Sequence, residues 1–219
     1  MKYFTLTQNT NEDIIGKYPQ VKDLKINFHE ARASQWAKIT QWKTNEDVPD
    51  LNNFILQTKS KFTDCLSSGF VVENHGLFLS QRCKEIFEKF KINGNFYDAI
   101  VWGLDEKRSY DFLWYESGAK SKIDCKKSLF VEYLDAKELY GEVVPIDDFE
   151  DYKVKFRKIY MEKEGWSIVP KLLKFKEYFD LTPVFGVGVI CNENVKNAIE
   201  ENKLTGFDIR PLNVEIAFE

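Results

Sequence analysis

Leu77-Phe78-Leu79-Ser80, followed by Cys83, Ile86, Phe87 and Phe90 and closed by Ile92-Asn93-Gly94, is written a second time further along the chain. The second version is Val187-Gly188-Val189-Ile190-Cys191-Asn192, then Val195, Ala198 and Ile199, then Leu204-Thr205-Gly206. At one offset of 112 positions Ser80 falls on Asn192, Cys83 on Val195, Phe87 on Ile199, Ile92 on Leu204 and Gly94 on Gly206. Each copy predicts a short apolar strand, a capping residue, a helix of about three turns, a glycine stop and a further strand. In the first helix, positions 83, 86, 87 and 90 share one face because they follow the i, i+3, i+4, i+7 spacing. Ser80 and Asn192 are placed to accept the unpaired N–H groups of the first turn, and Gly94 and Gly206 to end the helices in the left-handed conformation.

Working outward, residues 2–7 predict a first strand. Residues 9–60 are irregular, with Pro19 and Pro49, and predict loops with one or two short helices, one of them near Asp50 to Thr58. Phe96 to Trp102 and Tyr110 to Tyr115 predict an antiparallel hairpin. Ile123 to Val131 predicts another strand, and Val214 to Phe218 a last one. Lys153 to Met161 and Ser167 to Glu177 alternate basic and apolar residues and predict strands, the second with an edge position or a bulge at Pro170. The fold class that results is α+β, a mixed or antiparallel sheet with two similar strand–helix–strand units. The acidic run Asp147-Asp148-Phe149-Glu150-Asp151 marks a boundary between residues 1–146 and residues 147–219, two halves of what reads as one compact domain.

Hydrophobic residues make up 43% of the 219 and aromatic residues 15%, ample for a buried core. A net charge of −4 argues against a nucleic-acid binder, which carries a basic excess. Cys65, Cys83, Cys125 and Cys191 are widely spaced and read as buried free thiols of a reducing compartment. Met1 to Thr7 lacks the apolar core of a secretion signal, and no stretch has the apolar length of a membrane span, so the expected location is cytoplasmic, with no membrane partner.

Chemistry-bearing patterns are sparse. His29 and His75 have no ligand-spaced partners, the cysteines are isolated, and the acidic run lacks the spacing of a calcium loop, so no metal and no cofactor are expected. Gly186-Val187-Gly188 lacks the further glycines of a phosphate loop and reads as strand with small residues where another backbone comes close. Ser67-Ser68-Gly69 near His75 is no nucleophile elbow. Lys153, Lys155, Arg157 and Lys158 with Phe156 and Tyr160 resemble a nucleic-acid surface, but the acidic run just before them largely cancels the local charge and favours the charged outer face of a strand. Trp36 and Trp42 stand in polar surroundings, either as binding anchors or as pins that hold a long segment to the core.

Several segments resemble a large family of bacterial immunity proteins attached to polymorphic toxin systems. They are Phe78 to Phe87, Tyr110 to Trp114, Ile123 to Phe130, Val189-Ile190, Asn194 to Ile199 and Leu204 to Phe207. The chain departs from that pattern at the second cap, where Cys191-Asn192 stands in place of a serine. The resemblance implies a cytoplasmic inhibitor that binds a cognate toxin domain and blocks it, with no catalytic residue to inherit. Mild acidity would suit a basic toxin such as a nuclease. Trp36, Trp42, Asp147, Asp148, Glu150 and Asp151 are then the candidate contact residues. The competing expectations are a small hydrolase or transferase built on His75 with Asp64 or Glu73, and a nucleic-acid module on residues 153–160.

Overall fold

The computed structural model describes residues 1–26, 28–40, 42, 48–69, 75–115 and 122–219, apart from the side chains of residues 36 and 40. Chain order begins with β1 (Tyr3–Gln8), α1 (Glu12–Ile15), β2 (Val21–Leu24), α2 (His29–Thr40), β3 (Phe54–Leu56) and β4 (Cys65–Leu66). The first repeated unit is β5 (Gly76–Ser80), α3 (Gln81–Phe87) and β6 (Gly94–Trp102), followed by its hairpin partner β7 (Lys107–Tyr115). Next come β8 (Leu129–Leu134), β9 (Leu139–Val143), α4 (Phe149–Glu162), β10 (Trp166–Phe175) and β11 (Leu181–Val184). The second unit is β12 (Gly188–Asn192), α5 (Glu193–Glu201) and β13 (Phe207–Pro211), and β14 (Glu215–Phe218) closes the chain.

The described strands form three sheets, ordered β2-β3-β6-β7-β5-β4, β11-β12-β1-β13 and β14-β10-β8-β9. All neighbours are antiparallel except β3 with β6 and β10 with β14, so the chain is α+β with mixed and antiparallel sheets.

Both units form where the repeat predicts them. Ser80 Oγ accepts from the Cys83 N–H at 3.2 Å, and Asn192 Oδ1 from the Val195 N–H at 3.0 Å. Leu77 and Leu79, like Val189 and Cys191, face one shared core with Cys83, Ile86, Phe87, Val195 and Ile199. The residues between them turn away: Phe78 into a second core under α2, and Ile190 into a third core against the last sheet. Alternation along these strands thus gives the two sheets that hold β5 and β12 buried residues on both faces. Gly206 does not end the second helix as expected: α5 stops at Glu201, Lys203 takes the left-handed position at φ +50, and Gly206, at φ +89, leads into β13 where a Cβ would lie 2.0 Å from the Cys65 carbonyl oxygen. Gly94 has a different reason: it opens β6, and a Cβ there would lie 2.4 Å from the Trp114 carbonyl oxygen. α3 ends at Phe87, earlier than the spacing through Phe90 predicts, although Phe90 still packs on the shared core.

The duplication extends well beyond the matching letters. In the first unit β7 lies between β5 and β6, with β4 outside β5; in the second, β1 lies between β12 and β13, with β11 outside β12. Register makes Tyr110 the counterpart of Tyr3, since they face Ser80 and Asn192. Each phenol donates to the carbonyl that precedes an aspartate: Tyr110 to Thr63 at 2.7 Å, Tyr3 to Phe179 at 3.1 Å. Each aspartate then accepts from its capping residue, Asp64 from Ser80 Oγ at 2.8 Å and Asp180 from Asn192 Nδ2 at 2.5 Å. Each also reaches the other unit, Asp64 accepting from the Thr205 N–H at 2.8 Å and Asp180 from the Lys91 N–H at 2.7 Å. The two units are therefore latched together reciprocally, each by an aspartate at the head of its outer strand.

Several expectations are corrected. Residues 153–161 are helical, not a strand: Phe149, Tyr152, Phe156 and Ile159 recur at helical spacing and pack on the third core, which overrides the imperfect alternation. Asp50 to Thr58 holds the strand β3 and no helix; the two described helices of residues 9–60 are α1 and α2, earlier in that segment. Gly186 and Gly188 shape the turn between β11 and β12, at φ +72 and +101. Pro170 sits beside a register shift in β10, a bulge in an interior strand of its sheet. A boundary at 146/147 does not separate the sheets, because β8 and β9 pair with β10, and β1 pairs with β12 and β13. All four cysteines are buried and none forms a disulfide, and burial pushes three of the thiols up: Cys83, Cys191 to about 12 and Cys125 to about 11. Among the described residues no helix is long and apolar enough to cross a membrane.

Candidate functional site

The residues singled out from the sequence do not converge. Trp42 is only 7% exposed and stacks on Trp114 at 4.9 Å, with Tyr97 edge-on at 4.7 Å, so it pins its segment to the second core and presents no anchor. Trp36 lies within α2, and its side chain is outside the described residues. The acidic run is the cap of α4. Asp148 accepts from the Asp151 N–H at 2.9 Å, and Asp151 from the Asp147 N–H at 2.9 Å and from Lys155 at 2.8 Å. Glu150 pairs with Lys153 at 2.5 Å, and Asp147 lies 3.6 Å from Lys126. Those carboxylates stabilise the positive end of the helix dipole, which gives the run a local structural role.

The histidine pairing also comes apart. His75 adjoins the first residue of β5, and Asp64 faces Ser80 at the other end, roughly 17 Å along the strand at about 3.4 Å per residue. Glu73 lies outside the described residues. Among the described residues, no three His, Cys, Asp or Glu side chains gather as metal ligands.

A better candidate emerges from comparing the twin units. α3 covers only part of its sheet, and beyond it an open cleft of about 670 Å³ lies between Gln81, Lys84, Glu85 and Glu88 on the helix side and Asp98, Ile100, Ser109 and Asp111 on the strands. Asp98 and Asp111 stand directly opposite each other on β6 and β7. Like charges in that relation destabilise a sheet. Lys84 Nζ lies 2.7 Å from Asp111 Oδ1, with side-chain exposures of 27% and 8%. The hydrogen bond to Asp111 holds the ammonium above the usual lysine range against the opposing effect of burial, helped by the charges of Asp111, Glu88 and Asp98.

The second unit fills the same places differently. Register sets Phe4 where Asp111 stands and Pro211 where Asp98 stands. Lys196, at the offset of Lys84, bonds instead to Glu200 on its own helix at 2.6 Å, with its ammonium 5.5 Å from the Phe4 ring centre. An apolar residue therefore satisfies this position of the fold. The acid pair of the first unit is an addition that the architecture does not require, and a partly buried ion pair is weak grounds for stability. The sequence held this signal in Lys84/Lys196 and Glu88/Glu200, but the Asp111–Phe4 match joins strands from opposite ends of the chain and is invisible to any linear offset.

Fold and site together define an α+β protein of two like units, one of which carries an acid-lined cleft. No protein-family model matches the chain, and no curated protein matches it.

Proposed function

We propose that the chain is an immunity protein that binds and neutralises a cognate bacterial toxin domain by protein–protein contact. The resemblance of its repeated units to that class motivates the reading. The observation that carries it is the acid pair Asp98–Asp111 in an open cleft, where the twin unit holds Phe4 and Pro211. Carboxylates kept at an energetic disadvantage on an accessible face suit recognition of a basic surface, which they steer and discriminate. The cleft is broad and open to solvent, a shape that accommodates a protruding loop or side chain of a protein.

The test is to read the neighbouring reading frames for a secreted protein with a toxin-like C-terminal domain and to co-express that domain with this chain. Growth rescue and a complex that survives gel filtration are expected. A folded chain that neither rescues growth nor associates would overturn the reading.

A further inference from the structure

We infer that Lys84 is a two-position switch that keeps the place of a partner's cation: an incoming lysine or arginine takes the Asp111–Asp98 carboxylates, and Lys84 turns to Glu88. This rests on the reading of the chain as a protein-binding one and adds the partner's chemistry at the cleft.

Both positions are visible in the molecule. Lys84 shows the first, its ammonium on Asp111 at 2.7 Å. Lys196 shows the second, on Glu200 at 2.6 Å. Glu88 stands to Lys84 as Glu200 stands to Lys196, four residues on, the spacing that brings helical side chains together. The two lysines are also nearly equally exposed, at 27% and 26% of the side chain. Each ammonium also has a ring nearby, Phe96 at 5.8 Å for Lys84 and Phe4 at 5.5 Å for Lys196, but Lys84 alone of the two has a carboxylate across the cleft, and its Glu88 caps α3 where Glu200 lies inside α5.

The ammonium in the cradle is itself the indication of what the cradle accepts. Among the described residues Glu85, Glu88, Asp98 and Asp111 line the cleft with Lys84 as the one cation, so a second cation would enter a site where these carboxylates are still in excess. Displaced, Lys84 does not lose its partner but exchanges it for Glu88, so the exchange leaves no buried charge alone. Competition by an internal cation also discriminates: a neutral or acidic surface offers nothing to replace the Lys84 ammonium and is refused.

A tri-arginine peptide titrated into the full chain with isotope-labelled lysines tests this by NMR. The side-chain signals of Lys84 should shift towards those of Lys196, and those of Lys196 should not move. Lys84→Gln should bind the peptide about fivefold tighter and Asp98→Asn about fivefold weaker, with Lys196→Gln as wild type. Asp98 is exposed, so Asp98→Asn carries the test if Lys84→Gln is poorly folded. Equal affinity across the variants, or shifts spread over all acidic surfaces with Lys84 unmoved, would overturn the switch. Rescue from the toxin without these shifts sinks the switch alone; the shifts without rescue sink the toxin reading alone.

Discussion

Trp42 illustrates how a single side chain can be misjudged from its neighbours in sequence. Its surroundings, Ile39-Thr40-Gln41 and Lys43-Thr44-Asn45, are polar on balance, yet its ring is stacked among Trp114, Phe112 and Tyr97. Trp42→Ala should cost about 3–5 kcal/mol in urea unfolding, the loss expected for emptying an aromatic core position. Asp64 is the opposite kind of residue, polar and structural. Burial pushes its carboxyl up, but the hydrogen bonds from Thr205, Ser80 and Arg82 outweigh that and hold it below the ordinary carboxylate value. A depressed carboxyl contributes stability that is full above the unfolded pKa near about 3.9 and is lost as pH falls through the folded one. Asp64→Asn should therefore lower stability at neutral pH by about 2 kcal/mol and flatten its acid dependence below about pH 4, read from unfolding curves at several pH values.

At the scale of elements, the twin units provide an internal control for each other. Asp111→Leu should leave stability within about 1 kcal/mol of the parent or raise it, because Lys84 then has Glu88 to turn to, as Lys196 has Glu200. Lys84→Met should cost about 2–4 kcal/mol in the same urea assay, since it leaves the Asp111 carboxylate nine-tenths buried without its ammonium. The strand–helix–strand units were legible because their information is local: apolar spacing, a cap and a glycine within some fifteen residues. So was the hairpin of β6 and β7, two aromatic runs across a short loop. α4 was not, because Lys153, Lys155 and Arg157, set among its core-facing residues, also satisfy a two-residue period. The partner of Lys84 was not legible either, since Asp111 is set by the register of β7 on β5, a property of pairing and not of spacing.

On the scale of the whole molecule, three cores are strung through three sheets, and the middle one holds both units together. The acid cleft opens outside that middle core, on a part of the sheet that α3 leaves bare, so its residues can change without disturbing the packing between units. If the chain captures a basic toxin there, association should slow by about tenfold or more between low and near-molar salt, while dissociation changes far less; stopped-flow mixing at several salt concentrations measures both.

β1 has a further consequence, one of timing. Thr7 bonds to Asp208 across 201 positions of sequence, and β1 is hydrogen-bonded on both flanks to strands of the second unit. At roughly 5–20 residues per second on the ribosome, β1 waits on the order of ten to forty seconds after synthesis before either neighbour emerges. The first unit, whose central strand arrives by a hairpin, can close long before that. A nascent chain should thus carry a paired first unit, its side of the shared core still uncovered, together with an unclaimed strand, and shielding both is work for whatever meets the chain at the exit tunnel.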